Sequence, residues 1–431
     1  MRPTRSFTCS CLALVVLAAL SGQAWADYSR VAVGNCTNLA HYATIQLAVN
    51  SVSAGSTVEV CPGTYPEQVV INKRLSLQGI ANAGQDAAVI LPPATGMVAN
   101  TSDVDTGNPI AAQLLVQNTA GPVVISNLTV DATGNGIGSC TPDLQGILFQ
   151  SASGTVNHVA VRNQVPGGVP NGCQIGESIY VQTATGSSST VTVESSSVHN
   201  YNKNGITGND PGTALTVTGN YVQGSGVVPV GGAAQNGIQL GFGATGKITL
   251  NTVIDNIYGD PTVASADILL YDSAENAGIT IVNNTLGNSQ LPIVLYADNL
   301  FVAPYYGDGV TITGNHIFGT ATYDAIDVCT NGNTVSKNTI FNSADSAVHL
   351  DASCGAAFGI PPTGNNNNAT SNTIVESACA GILVDTGTSG NNTTTENYYT
   401  VPFPITSSTA SCPFVAGPTR AKATRKFSPR R

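Results

Sequence analysis

The sequence predicts an all-β chain wound as a right-handed parallel β-helix, a solenoid, with a short N-terminal capping helix. Three observations carry this. First, a unit of the form apolar-Thr-apolar, then Asn-x-apolar, recurs with its asparagines at 220, 251, 284, 315, 338 and 372, spaced by 31, 33, 31, 23 and 34 residues. Second, a companion strand beginning Gly-Ile, Ala-Ile or Ala-Val alternates with that unit, at residues 146, 205, 237, 325, 347 and 381. Third, only 9% of the 431 residues are charged, 46 are Gly and 42% are hydrophobic. That balance excludes charged-faced helices, and it is too apolar for disorder. Many short strands with frequent turns remain.

Taken in chain order, residues 1–26 read as an export signal: Arg2 and Arg5, an apolar run from Leu12 to Leu20, and Ala24-Trp25-Ala26 as the cleavage site. The apolar run is too short to span a membrane, and the expected location is secreted or periplasmic. The β-helix is expected over 27–415. Thr44 to Asn50 has helical spacing with Thr44 as cap, closing the open end of the solenoid. Strands follow at Thr57–Cys61, Glu67–Ile71 and Leu75–Gln78.

In the repeats, apolar residues alternate with polar ones, the period of a strand. Three such strands and their turns need at least about 22 residues. The 23-residue interval is therefore a bare coil, and the longer ones carry inserted loops. Asparagine tolerates the left-handed conformation of a sharp corner. Stacked asparagine amides can also bond along the axis. Residues 416–431 form a basic tail expected to be disordered.

Eight cysteines follow the signal, Cys36, Cys61, Cys140, Cys173, Cys329, Cys354, Cys379 and Cys412. An even number in an exported chain predicts disulfides, with sequence neighbours pairing because a solenoid keeps them close. His41, His158, His199 and His316 are scattered without metal-ligand spacing.

The opening resembles the N-terminal coils of pectin methylesterases and other pectin-lyase-like β-helix proteins. The matching pieces are Thr44-Ile45-Gln46, Ala48-Val49, residues 62–67 (Pro-Gly-Thr-Tyr-Pro-Glu) and residues 75–79 (Leu-Ser-Leu-Gln-Gly). From about residue 120 the repeats resemble generic right-handed β-helix repeats, so the likeness covers most of the mature chain. It implies the fold and says little of activity. The esterases' Asp-Phe-x-x-Gly and Leu-Gly-Arg-Pro-Trp segments are missing, as are the polygalacturonase motifs. Arg162, Lys203, Lys247 and Lys337 are the few candidates for a lyase-type base. Each of the three lysines reads as a solvated turn residue.

Charge narrows the partners. There are 25 acidic and 15 basic residues; two basic ones lie in the signal and six in the last twelve positions, leaving −18 on the body. Nucleic acid and anionic membranes are poor partners for such a body. The chain is expected to be monomeric and to lack a transmembrane segment. A polysaccharide or cell-surface glycan is the expected partner.

Aligning the Gly/Ala-Ile strands by stacking gives two outward columns about 4.8 Å apart per step. One runs Thr207, Gln239, Leu269, Val294, Asp327, His349, Leu383; the other runs Asn209, Gly241, Tyr271, Tyr296, Cys329, Asp351, Asp385. Tyr271 and Tyr296 would be stacked, exposed platforms for sugar rings or an aromatic ladder bracing the sheet. Asp385 would border the same substrate-binding face. Asp327, His349 and Asp351 form the expected catalytic centre, a carboxylate beside an imidazole making an acid/base pair. Several carboxylates on one face also suit Ca²⁺ through oxygen ligands. The bland reading of this cluster is a solvated, mildly paired surface group.

Two functions fit. One is a secreted protein that binds and cleaves polysaccharide as a lyase or glycosidase. The other is a non-catalytic structural or adhesion protein of the cell exterior, a rigid rod displaying loops.

Overall fold

The computed structural model describes residues 29–431 except 81–83, 261–262, 299–306, 321–322, 353, 355–362, 386, 388–390, 402–403, 408–425 and 428–431. The signal segment and Cys412 therefore lie outside the described residues.

Three long sheets of 13, 12 and 13 strands run side by side along the chain. Each complete coil gives one strand to each sheet. Thr213–Thr218, Tyr221–Val228 and Asn236–Gly241 make one such coil. All pairing in these sheets is parallel except where Thr101–Ser102 folds back antiparallel on Pro109–Gln117. This is the right-handed parallel β-helix that the repeat predicts.

Registered strands stack like residue on like. In the third sheet Ile179, Ile206, Ile238, Ile268, Ile293, Ile326, Val348 and Ile382 form one continuous inward column. It joins one core running from Val31 to Ile382. A single coil cannot enclose its apolar face, so burial comes only from neighbours.

The predicted cap is present. Helix Ile45–Ser51 buries Ile45, Ala48 and Val49 against the first coil. Thr44 Oγ1 accepts the Leu47 N–H at 3.1 Å. Glu67 adds what sequence reasoning did not foresee: its two carboxylate oxygens accept the Ile45 and Gln46 N–H groups, each at 2.8 Å. These are donors that a helix N-terminus leaves open.

The asparagines form the expected ladder. Asn220 donates its amide to Asn251, Asn251 to Asn284, Asn284 to Asn315, Asn315 to Asn338, and Asn338 to Asn372, all at 2.9–3.0 Å. Their expected left-handed backbone is displaced by one residue. Positive φ falls on the preceding Gly219, Leu250, Asn283, Gly314, Lys337 and Ser371. The corner is turned there, and the asparagine's side chain satisfies the backbone that the corner leaves open.

Disulfides join Cys36 to Cys61, Cys140 to Cys173 and Cys329 to Cys354, sequence neighbours as expected, and Cys379 is also disulfide-bonded. Such bonds fit an oxidising compartment. Among the described residues, no helix is long and apolar enough to cross a membrane. In the tail, Lys426–Phe427 pairs with Val263–Ala264.

Candidate functional site

The outward side of the third sheet carries the site. Its backbone register reproduces the first outward column residue for residue, from Thr207 to Leu383. The same register pairs Asn209 with Gly241, Gly241 with Tyr271, and Tyr271 with Tyr296.

A third outward column, which sequence reasoning missed, lies two positions before the inward isoleucine column of the sheet. It runs Gln145, Glu177, Asn204, Asn236, Ala266, Leu291. Asp324 holds the same place before Ala325. At Gly205 glycine itself is needed, because a Cβ there would lie 2.5 Å from the Gly237 carbonyl oxygen.

Together the columns divide the face into three parts. Polar side chains occupy the coils from Gln145 to Gln239. Leu269, Val294, Tyr271 and Tyr296 follow. An acidic cluster then surrounds His349. All of these residues are buried except Asp385, which is partly exposed.

The structure brings Asp327, His349, Asp351 and Asp385 together and adds Asp324. The His349 ring is held at both nitrogens, Nδ1 by Asp324 Oδ2 and Nε2 by Asp385 Oδ1, each at 3.2 Å. Burial alone would disfavour its charged form. The charges of Asp351 and Asp324 and the hydrogen bonds of Asp324 and Asp385 outweigh burial and hold the imidazole well above its usual 6.5. His349 is therefore an imidazolium, with two acceptors and no free lone pair. Burial would raise the Asp385 carboxyl, but His349, a hydrogen bond from Asp351 and the Ala352 N–H hold it below 3.8. One oxygen of Asp327 and one of Asp351 lie within 4.8 Å of each other and of the Cys329–Cys354 sulfurs.

His349 gathers the carboxylates of Asp324 and Asp385 around its ring. The two cysteines, being oxidised, are not ligands.

The tyrosines are stacked, with centroids 5.6 Å apart and planes at 26°. They are buried, however, rather than exposed as a sugar platform would require. Tyr271 donates to Asp298, and Tyr296 donates to the Cys354 carbonyl at 3.2 Å. Phe242, Cys329, Cys354 and the partly buried Tyr323 pack with them.

Of the candidate lysines, Lys247 and Lys337 are exposed as expected. Lys203 is not: it is fully buried, and its Nζ donates to the Ala234 carbonyl at 2.7 Å. Arg162 is engaged at the surface by Asp131 and Asp86.

Fold and site define a parallel β-helix protein with a buried acidic centre on one sheet. Solved structures that share this fold are enzymes acting on saccharides. One is a GH136 lacto-N-biosidase from Eubacterium ramulus, at 9% identity and TM-score 0.55 over 87% of this chain and 67% of that one. Another is a DFA-IIIase from Arthrobacter chlorophenolicus A6 in complex with GF2, at 12% identity and TM-score 0.52 over 84% and 93%. A third is the catalytic domain of a GH87 α-1,3-glucanase in complex with nigerose, at 13% identity and TM-score 0.50 over 88% and 68%. No protein-family model matches the chain, and no curated protein does.

Proposed function

We propose that this protein binds a polysaccharide along the outward face of the third sheet and hydrolyses it at the acidic cluster. The observation that carries the reading is the close approach of the Asp327 and Asp351 carboxylates beside an imidazolium. Two carboxyl groups in close approach suit the retaining route of glycoside hydrolysis, with one as nucleophile and the other as acid/base. Asp327 and Asp351 take these two roles. Asp351 hydrogen-bonds Asp385, which His349 also holds. His349 positions the pair and touches no substrate atom in this scheme. The saccharide-active enzymes of the same fold support the substrate class.

A hydrolase fits this site better than a lyase. β-Elimination next to a uronate needs a base and a cation for the acid group, and the cluster holds four aspartates and one imidazolium already committed to two of them.

The test is release of reducing ends from a panel of neutral polysaccharides. Asp327→Asn and Asp351→Asn should each lower turnover about 10²–10⁴-fold, the usual size of an acid/base contribution. Unchanged turnover in both variants would sink this site. The second reading, a non-catalytic exterior rod, draws support from the burial of Tyr271 and Tyr296, the expected sugar platform on this face. It predicts no product from any polysaccharide, with full stability retained in both variants.

A further inference from the structure

The outward face of the second sheet carries a row of side chains that the acidic cluster does not use. Tyr221, His316 and Tyr398 share one column of its register, three coils apart in each interval. Thr252 and Thr285 fill the first interval, and Thr339 and Thr373 fill the second. At about 4.8 Å per coil, the rings recur about every 14 Å over a length of about 29 Å. All three rings are exposed, and the four threonines are half-buried. Alternate residues of a strand share a side, so the position two residues on belongs to the same face. There Phe318 and Phe341 are direct neighbours between Gly287 and Val375. His316 packs against both phenyl rings, with centroids 6.3 Å from Phe318 and 5.6 Å from Phe341. Phe318 reaches back across Gly287: a Cβ on that glycine would lie 2.8 Å from two of its ring carbons. The missing side chain lets this ring lie over the sheet rather than stand off it.

The chemistry of this row selects its occupant. Single exposed aromatics are ordinary on any surface. Here they lie on two adjacent columns, and three of them are evenly spaced. From Tyr221 to Thr400, no position of either column is Asp, Glu, Lys or Arg, in a chain whose body carries −18. Asp255, Lys337, Glu376 and Glu396 stand at positive-φ corners beside the columns. A charged partner would therefore find little to pair with along the row itself. A second copy of the chain is too broad an occupant. Two columns about 7 Å apart over about 29 Å make a strip of about 200 Å², against roughly 800 Å² per partner in a stable interface. An extended polymer matches that length and narrowness. A neutral sugar ring has an apolar C–H face, which stacks on an aromatic ring. It also has a hydroxyl rim, which threonine hydroxyls meet as donors and acceptors.

We propose that the outward face of the second sheet is a binding surface for a neutral polysaccharide chain laid along the solenoid axis, with Tyr221, His316 and Tyr398 stacking on its sugar rings. The substrate class rests on the saccharide reading above, but the surface does not depend on catalysis at Asp327. The two faces share coils. His316–Thr320 leads into the strand of Asp327, and Thr339–Phe341 leads into the strand of His349. A chain anchored on the second sheet is thus held one corner away from the acidic cluster, at the same height along the axis.

The test is co-sedimentation of the full chain with insoluble neutral polysaccharides: cellulose, chitin and mannan. Tyr221→Thr, His316→Thr and Tyr398→Thr extend the threonine column through the row without touching the core. Each should weaken binding about three- to tenfold, and the triple variant should stay in the supernatant. The single variants, each changing one exposed side chain, carry the comparison if the triple variant folds poorly. The Asp327→Asn, Asp351→Asn double variant should sediment as the wild type does. Release of reducing ends from a soluble oligosaccharide too short to span the row is followed in parallel, and the triple variant should leave it unchanged. Binding without turnover would sink the catalytic reading and leave this surface standing. Absence of binding to all three polymers overturns the surface, with or without turnover. So does row-variant binding equal to that of the wild type, or binding lost in the aspartate double variant alone. A wild-type dimer in sedimentation equilibrium that the row variants dissolve also overturns it, because a second copy would then cover the row.

Discussion

His349 has both ring nitrogens bound to carboxylates, and this fixes how the cluster answers pH. Its folded pKa lies well above 6.5, so its contribution to stability is complete below 6.5 and declines as pH rises through the raised value. Asp385 is depressed, so its contribution is complete above 3.8 and is lost as pH falls through the lowered value. The cluster should therefore be most stabilising between those limits. In calorimetric melts across the alkaline range, the wild type should lose stability that His349→Gln never had, and the two curves should converge. Parallel curves would show that His349 is not held as an imidazolium. At this scale the sequence was legible where stacking alone decides position: the Asp327–His349 neighbourhood followed from counting. It was not legible for Lys203. A lysine between two asparagines at a turn looks solvated, but it sits between Glu177 one coil earlier and the Ala234 carbonyl of the next coil. Asp324 was missed for a smaller reason, because the outward columns were begun one position too late.

Among the elements, the asparagine ladder does most to hold the coils in register. Each central rung accepts from its neighbour's amide and backbone N–H and donates to a strand carbonyl on the side it came from. Asn284, for example, donates to the Ile248 carbonyl at 3.0 Å and receives the Asn251 N–H at 2.9 Å. Replacing Asn284 or Asn315 with Ala leaves buried backbone groups unpaired, at a cost of about 1–3 kcal/mol for each unmet group. Thermal melts should show either change lowering the midpoint clearly more than Asn397→Ala, because Asn397 is only partly buried and ends the series. Equal effects at all three positions would mean that the ladder is not the source of stability. The repeat of these asparagines is what made the fold readable without a structure. The hairpin at residues 101–108 was not readable in the same way. It lies outside the repeat, and it is held by Gln150 and Gln182, which belong to two later coils.

At the scale of the whole molecule, charge selects the ligand. Among the described residues, no strand of the third sheet contains a lysine or arginine, while Asp143, Glu177, Asp267 and Asp327 all lie in those strands. Lys203, beside that sheet, is buried and neighboured by Glu177, and Arg162 is already paired on the second sheet. A uronic-acid polymer laid along the face would meet the cluster of Asp327, Asp351 and Asp385, with no lysine or arginine in the described strands of that sheet, and at physiological salt such repulsion acts over about 8 Å. A neutral glycan would meet only hydrogen-bonding groups, whose strength salt hardly changes. Affinity for a neutral oligosaccharide should therefore be the same at low and high sodium chloride. Any binding of an oligogalacturonate should be weak at low salt and should strengthen as salt screens the face. Titration of both ligands across a salt series reads this directly. Tighter binding of the uronate at low salt would require a basic groove that these strands do not contain, and it would move the site to another face of the solenoid.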